Sequence, residues 1–289
     1  MKNTIYLMLL LVVISACGNE KSTSEEETEK AKLSDKETSE INYIEGAWEE
    51  ILTATENGET IDFEISYSNL LLPSELIEGE TSKALREEYL SKTDSLREVC
   101  NTIGLLKENE KLFAYAEKNG WDKLSEEDIK GIEKGLRKSG DEFSDVQFLH
   151  CKSSPKYVNK NGFWTYISYS ESFVALKWSV QYLDDDWLFI DKMQLLAGEN
   201  KHTLFGDWEH DHSDGEIYEW VTYNVVNDNI QALLDIVDNN GAKIKFVGSK
   251  YYDERKVSEK QAREIGEVLK VYYFKVKNSE ASFDAESLL

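Results

Sequence analysis

Three of the four histidines of this chain fall within one short segment, at His202, His210 and His212. A carboxylate, Asp211, separates the last two rings. Imidazole nitrogens and carboxylate oxygens together suit zinc, nickel or copper, and residues two apart on a strand point to the same side. The spacing therefore predicts a divalent-metal site formed by His202, His210, Asp211 and His212. The alternative is a solvated loop between strands, because Asp, His, Ser and Gly are common in such turns.

Familiar catalytic motifs do not accompany these histidines. The sequence has no Gly-rich phosphate loop, no nucleophile elbow around a serine, no His-Glu-x-x-His and no Cys-x-x-Cys. We therefore expect a binding or scaffolding protein that needs no cofactor. The alternative is a metal-binding protein or a metal-dependent hydrolase that uses residues 202–212, which requires an open coordination position and a general base.

Two further segments carry side chains suited to binding. The aromatic run at residues 163–169 places large rings on both faces of a strand, which suits an exposed platform for a glycan or a peptide. Packing beneath a helix is the expected alternative. Arg255 follows Tyr251 and Tyr252 and could bind an anion, although an ion pair with a neighbouring carboxylate, Asp253 or Glu254, is the expected arrangement.

The first residues have the pattern of a secretory signal. Lys2 gives a positive start, and an apolar run over residues 5–14 is too short to span a bilayer. The order Ile14-Ser15-Ala16-Cys17 resembles the lipobox of bacterial lipoproteins, in which the cysteine is acylated and becomes the mature N-terminus. The resemblance implies a signal peptide over residues 1–16, a lipid on Cys17 and a place in the bacterial envelope, at the outer membrane or cell surface if the cell is Gram-negative. An ordinary signal with an incidental cysteine is the alternative.

The charge of the chain restricts its partners. There are 33 basic and 56 acidic residues, a formal net charge of -23, which repels nucleic acid and anionic lipid headgroups. We expect a membrane contact through the lipid on Cys17, no nucleic acid, and a protein or small-ligand partner at the cell surface. An immunity or inhibitor protein that neutralises a basic partner is a further hypothesis, and it predicts salt-sensitive binding.

The segment after Cys17 is polar and acidic. Residues 17–40 are predicted to be a flexible tether, because Leu33 is the one large apolar residue after position 18 and cannot offset the entropy of ordering. Its acidic residues also resemble the surface-export signals of some Gram-negative lipoproteins. Cys100 and Cys151 remain as a pair, which predicts either a disulfide in an oxidising compartment or two buried free thiols.

Order is expected from residue 41, beginning with helices. A helical apolar face predicts a helix that ends at Asn57-Gly58, although residues 44–48 could also open a lipocalin-like barrel. Residues 61–67 alternate between apolar and polar, which predicts a strand. A helical hairpin is predicted over residues 82–139. Its first, long helix restarts near Glu108-Asn109 and stops at Asn119-Gly120. Its second, shorter helix begins with Ser125 and Asp128 and ends at Gly140.

After Gly140 the apolar period changes to two, which predicts antiparallel strands. The expected strand segments are 145–150, 157–158 with 163–169 across an Asn161-Gly162 turn, 174–182, 187–196 after the Asp184-Asp185-Asp186 turn, 202–205, 216–223 and 242–246. Two late helices are predicted, one from Asn227 or Asp228 to residues 239–241, the other opened by Ser258 with Gln261.

Together these segments predict an α+β fold: an N-terminal helical hairpin packed on an antiparallel β-meander, with two further helices in the C-terminal half. The expected organisation is residues 41–198, then residues 199–277 as a small α+β domain or a continuation of the sheet, then a loose tail over 278–289. Residues 187–190, 219–220 and 246–255 resemble a small recurrent domain of uncharacterised bacterial secreted proteins, over about residues 187–276, and this resemblance implies no activity.

Overall fold

The computed structural model describes residues 34–71, 77–140, 143–171, 173–213 and 215–281. The expected signal peptide, the expected lipid site Cys17 and the first part of the expected tether lie outside these residues. The described residues form two compact units, one made by those before Glu108 together with Ser279–Ala281, the other by those within Glu108–Asn278. The fold is α+β with antiparallel sheets, which confirms the expected class.

The first unit is helical. Its helices are α1 (Asp35–Asn57), α2 (Thr60–Leu70) and α3 (Glu80–Glu108). The predicted end of α1 is confirmed, since Gly58 adopts a left-handed φ of 62° and closes the helix. Gly58 also packs directly on Gly104 of α3, because an added Cβ would lie 2.4 Å from the Gly104 nitrogen. The core residues contributed by α1 to α3 include Ile44, Trp48, Ile51, Phe63, Leu70, Leu96, Val99 and Ile103.

The last residues of the expected tether are helical. Helix α1 begins directly after Ser34, whose side chain accepts a hydrogen bond from the Glu37 backbone. The Glu37 carboxylate accepts a hydrogen bond from the backbone N–H of Thr81 at 3.0 Å. The Glu40 carboxylate accepts hydrogen bonds from the backbone N–H groups of Glu78 and Gly79. Two acidic side chains of the expected tether therefore accept hydrogen bonds from the exposed backbone N–H groups at the start of α3.

Residues 61–67 form part of α2, so the prediction of a strand is wrong. Phe63 and Leu70 are buried, whereas Ile61 and Ile65 are 75% and 56% exposed. A pattern that alternates every two residues also repeats every four, which is close to one helical turn. The same sequence therefore fits a helix with one apolar row inside and another outside.

The helices of the second unit begin and end close to the predicted residues. They are α4 (Glu110–Lys118), a short 3-10 helix (Trp121–Lys123), α5 (Glu126–Gly135), α6 (Asn227–Asp238) and α7 (Glu259–Ala281). The restart after Glu108 and the capping box of Ser125 with Asp128 are confirmed. Helix α5 does not continue to residue 139, because Leu136–Gly140 forms a strand. Helix α7 extends four residues into the expected tail, from Asn278 to Ala281.

The strands form two antiparallel sheets. They are β1 (Leu136–Gly140), β2 (Gln147–Cys151), β3 (Gly162–Tyr169), β4 (Val174–Asp184), β5 (Ile190–Ala197), β6 (Asn200–Phe205), β7 (Glu209–Ser213), β8 (Glu216–Asn224), β9 (Ala242–Gly248) and β10 (Tyr252–Val257). One sheet has the order β1-β2-β3-β4-β8-β7 and the other β10-β9-β5-β6. Residues 157–158 are not in a strand, and β10 adds a strand after the one expected to be last.

The compact units do not divide near residue 198. Strands from both sides of that residue pair with each other, β4 with β8 and β5 with both β6 and β9. Residues 199–277 therefore continue the sheets that the preceding strands begin. Among the described helices, none combines the length and the apolar character needed to cross a bilayer.

Candidate functional site

The structure gives His202 a partner away from the other two histidines. His202 lies on β6, the edge strand of the four-stranded sheet, and its Nε2 is 2.7 Å from Asp235 Oδ2 on α6. Asp235 is buried, and its other carboxylate oxygen accepts a hydrogen bond from Gln231 at 3.0 Å. This pair joins an edge strand to a helix, and it engages one ring nitrogen of a residue of the predicted metal site.

His210 and His212 come together on β7, the edge strand of the six-stranded sheet. Both rings lie against the indole of Trp187, with centroids 5.5 and 6.2 Å away. Between them, Asp211 accepts a hydrogen bond from the backbone N–H of His212 at 2.8 Å, and the same carboxylate oxygen lies 4.0 Å from His212 Nδ1. Within the described ranges, no group of three His, Cys, Asp or Glu residues is arranged to hold a metal ion.

Trp187 and Phe189 complete a cluster that we call the aromatic patch, formed by Trp187, Phe189, His210 and His212. The Trp187 and Phe189 rings are stacked at 5.3 Å, and His210 meets both edge-on. Phe189 is 50% exposed, and both histidines are exposed. A row of rings therefore faces solvent beside a sheet edge.

A buried carboxylate holds the backbone beneath the patch. Glu219 of β8 is 1% exposed. One of its oxygens accepts the N–H groups of Leu188 and Phe189 at 2.9 Å, and the other accepts that of Ile190 at 2.7 Å. These charge-assisted hydrogen bonds satisfy a buried charge that would otherwise be costly. They also occupy backbone donors that a strand would use, which explains why β5 begins at Ile190 and not at Trp187 as expected.

Phe189 has a backbone conformation that bulky residues rarely adopt. Its φ is 49°, in the left-handed region, at a cost of about 1–3 kcal/mol. Gly248 of β9 supports this turn, since a Cβ there would lie 1.9 Å from the Leu188 carbonyl oxygen. Glu219 and Gly248 therefore hold the strained turn from two other strands, and the turn directs the Phe189 ring to solvent.

The surroundings of the patch are acidic, and the adjoining sheet edge is open. Asp185 and Asp186 precede Trp187, Glu209 and Asp211 flank the histidines, and all of these residues are exposed. In the part of the chain that the structure describes, β7 pairs with β8 alone. An open edge presents unpaired N–H and C=O groups to which an extended peptide can add.

Arg255 is fully engaged within the fold. Its Nε donates to Asp253 at 2.6 Å, one terminal nitrogen donates to Asn161 at 2.9 Å, and the other donates to Asp184 at 2.8 Å. The guanidinium also lies over the Tyr182 ring. Arg255 therefore ties β10 to the end of β4 as a structural ion pair, with no nitrogen left for an anion.

The aromatic run at residues 163–169 is packed inside the fold. Phe163 and Trp164 are buried, although they point to opposite faces of β3. Tyr166 stacks on His150 of β2 at 4.7 Å. Burial, together with the nearby Arg137, lowers the pKa of His150 to about 4. The run is a core strand, as the packing interpretation expects, and not an exposed platform.

Cys100 and Cys151 are buried free thiols, so the disulfide is not formed. Cys100 belongs to the helical unit and Cys151 to the second unit. Burial raises the pKa of Cys100 to about 11 and that of Cys151 to about 12. Such thiols are poor nucleophiles at neutral pH, because little thiolate is present.

The sequence pattern around Trp187, Phe189 and Glu219 resembles a recurrent domain but does not indicate a site at these residues. The available signal was the order Trp-Leu-Phe directly after three aspartates, which places aromatic residues inside a turn. The residues next to Glu219 in the sequence do not indicate its role, because its hydrogen-bond partners are about 30 residues away. Comparison of the chain with protein-family models, curated proteins and solved structures finds no match.

Proposed function

We propose that this chain is a lipid-anchored protein of the bacterial envelope whose folded part binds a partner and does not catalyse a reaction. The observation that carries the binding role is the aromatic patch, in which a buried Glu219 holds an exposed Phe189 in a strained conformation. Backbone strain and exposed aromatic rings each cost free energy in the unbound protein. A partner that covers the patch recovers the apolar part of this cost.

The proposed ligand is an extended, cationic peptide segment of a partner protein. Its backbone adds to the open edge of β7, and alternate side chains pack against Trp187 and Phe189. Basic residues of the segment meet the exposed carboxylates around the patch, including Glu209 and Asp211. Such electrostatic complementarity mainly increases the association rate and excludes acidic competitors.

The anchor rests on the lipobox resemblance at Ile14-Ser15-Ala16-Cys17. Replacement of Cys17 by alanine removes the acylated thiol, so Cys17→Ala should leave the membrane fraction and should not incorporate labelled palmitate. Retention of the variant in the membrane fraction would contradict the anchor without affecting the binding proposal.

Selection of random peptides displayed on phage against the full chain tests the binding role. Enriched peptides should combine Lys or Arg with apolar residues at alternate positions. They should bind Trp187→Ala and Phe189→Ala at least about tenfold more weakly than the native chain. Phe205→Ala is the matched control, because Phe205 is 70% exposed on β6, the edge of the other sheet. Equal binding to the patch variants and the native chain would overturn the proposal.

A further inference from the structure

Helix α2 of the helical unit carries an apolar row that its own core does not use. Ile61 and Ile65 are 75% and 56% exposed, while Phe63 and Leu70 are buried. The two isoleucines are one helical turn apart and form a ridge on the outer face. Such a ridge has the spacing that packs against another helix.

A groove adjoins this ridge between α1 and α2. Its cavity volume is about 580 Å³, and its lining includes Gly46, Glu49, Glu59, Asp62 and Ile65. A second depression of about 430 Å³, which Ile61 lines, also borders Ile65. The isoleucine ridge therefore stands between two hollows, which suits an elongated occupant.

Gly46 leaves the groove open at a cost to α1. A glycine inside a helix destabilises it by about 0.5–1 kcal/mol relative to alanine. A Cβ added at Gly46 would meet nothing within 4 Å, and the helical backbone there does not need glycine. Neither packing nor conformation thus requires the glycine, and what it contributes is space in the groove.

The charge of the groove selects its occupant. Among the described residues, the lining has the carboxylates Glu49, Glu50, Glu59 and Asp62 and includes no lysine or arginine. A second copy of a chain with a net charge of -23 is repelled. From the ridge, the open glycine and the charge, we infer that the groove binds a cationic amphipathic helix of a partner. Its apolar face packs on Ile61 and Ile65 and its basic residues pair with the carboxylates. All these residues belong to the helical unit, so the inference does not depend on the aromatic patch.

Binding of a designed peptide to the full chain tests this inference. The probe is a helical peptide of about 18 residues with leucines on one face and lysines on the other. A peptide of the same composition, with leucines scattered around the helix, controls for charge alone. Fluorescence anisotropy should show that the amphipathic peptide binds more tightly than the scattered one.

Gly46→Leu fills the groove and should weaken binding of the amphipathic peptide at least about tenfold. Ile65→Asp should have a similar effect by breaking the ridge. Gly131→Leu is the matched control, because Gly131 also lies within a helix with nothing within 4 Å of an added Cβ. Phe189→Ala should bind the peptide as the native chain does.

Three results would overturn the inference. Equal affinity for the two peptides would show that charge alone attracts them. Unchanged affinity of Gly46→Leu would place the peptide elsewhere. Self-association of the native chain that Ile65→Asp abolishes would assign the ridge to a second copy.

Discussion

At the scale of single residues, a few buried polar groups decide what the surface displays. Glu219 is separated by 31 residues from Leu188, yet its carboxylate fixes the turn that exposes Phe189. Asp235 fixes His202 in the same way. Both carboxylates are buried, so each must be paired inside the fold, and the pairing sets the position of its neighbours.

Glu219→Gln should destabilise the protein, because the amide keeps one acceptor and turns an N–H₂ group toward backbone donors. We expect a loss of about 1–3 kcal/mol in the free energy of unfolding, measured by urea denaturation. Glu216→Gln is the control, since Glu216 is exposed on the same strand and should change stability by about 0.5 kcal/mol or less. Equal effects of the two substitutions would contradict the role of Glu219.

His150 should make stability depend on pH. Its folded-state pKa of about 4 lies below the ordinary value of 6.5. Above pH 6.5 the ring is neutral in both states, and the stability contribution is complete. As pH falls from 6.5 toward 4, His150 binds a proton in the unfolded chain but stays neutral in the folded chain. The unfolded state is therefore favoured, and the free energy of unfolding decreases.

His150→Phe keeps a ring against Tyr166 and removes the titration. The variant should lose less stability than the native chain between pH 6.5 and 4, measured by urea denaturation across that range. If the stability of His150→Phe changed with pH as that of the native chain does, His150 would not be the source of the pH dependence.

At the scale of elements, α2 shows why an apolar pattern can have two interpretations. Residues 61–67 fit a strand by alternation, but the Phe63 N–H donates to the Glu59 carbonyl oxygen as in a helix. Burial then separates the apolar residues into two classes. Phe63 packs in the core, and the Arg97 guanidinium lies over its ring, whereas Ile61 faces solvent.

Alanine substitutions should separate these classes. Phe63→Ala should cost about 3–5 kcal/mol, because it leaves a cavity in the core of the helical unit. Ile61→Ala should change the free energy of unfolding by about 0.5 kcal/mol or less. Urea denaturation of both variants checks the result. A large loss for Ile61→Ala would contradict the helical assignment of residues 61–67.

At the scale of the whole molecule, each compact unit contains one buried free cysteine among the described residues. Cys100 donates to the Ala54 carbonyl oxygen at 3.5 Å in the helical unit, and Cys151 donates to the Glu264 carbonyl oxygen at 3.7 Å in the other. Burial raises the pKa of both thiols. The two thiols therefore report independently on the opening of the two units.

Iodoacetamide should not label Cys100 or Cys151 in the native chain at pH near neutrality, and should label both after denaturation without reductant. Mass spectrometry at increasing urea concentration would follow each thiol through its own peptide. Peptides that contain Cys17 are excluded from the count. A denatured chain in which both sites resist labelling, with a mass two hydrogens lower, would show a disulfide and contradict the structure.

The sequence by itself determined the features that short-range interactions control. The end of α1 at Gly58, the restart after Glu108, the Ser125 cap and the antiparallel strands all depend on residues a few positions apart. Steric preference, capping and apolar periodicity act at that range, and they are visible in the order of residues.

Tertiary structure alone decided the rest. Three features depend on residues that are distant in the sequence. They are the helical conformation of residues 61–67, the pairing of His202 with Asp235, and the exposure of Phe189. A buried polar group must be hydrogen-bonded, and an apolar face is stable when it packs against another element. Those partners are chosen in three dimensions, so the aromatic patch and the isoleucine ridge became visible only in the folded chain.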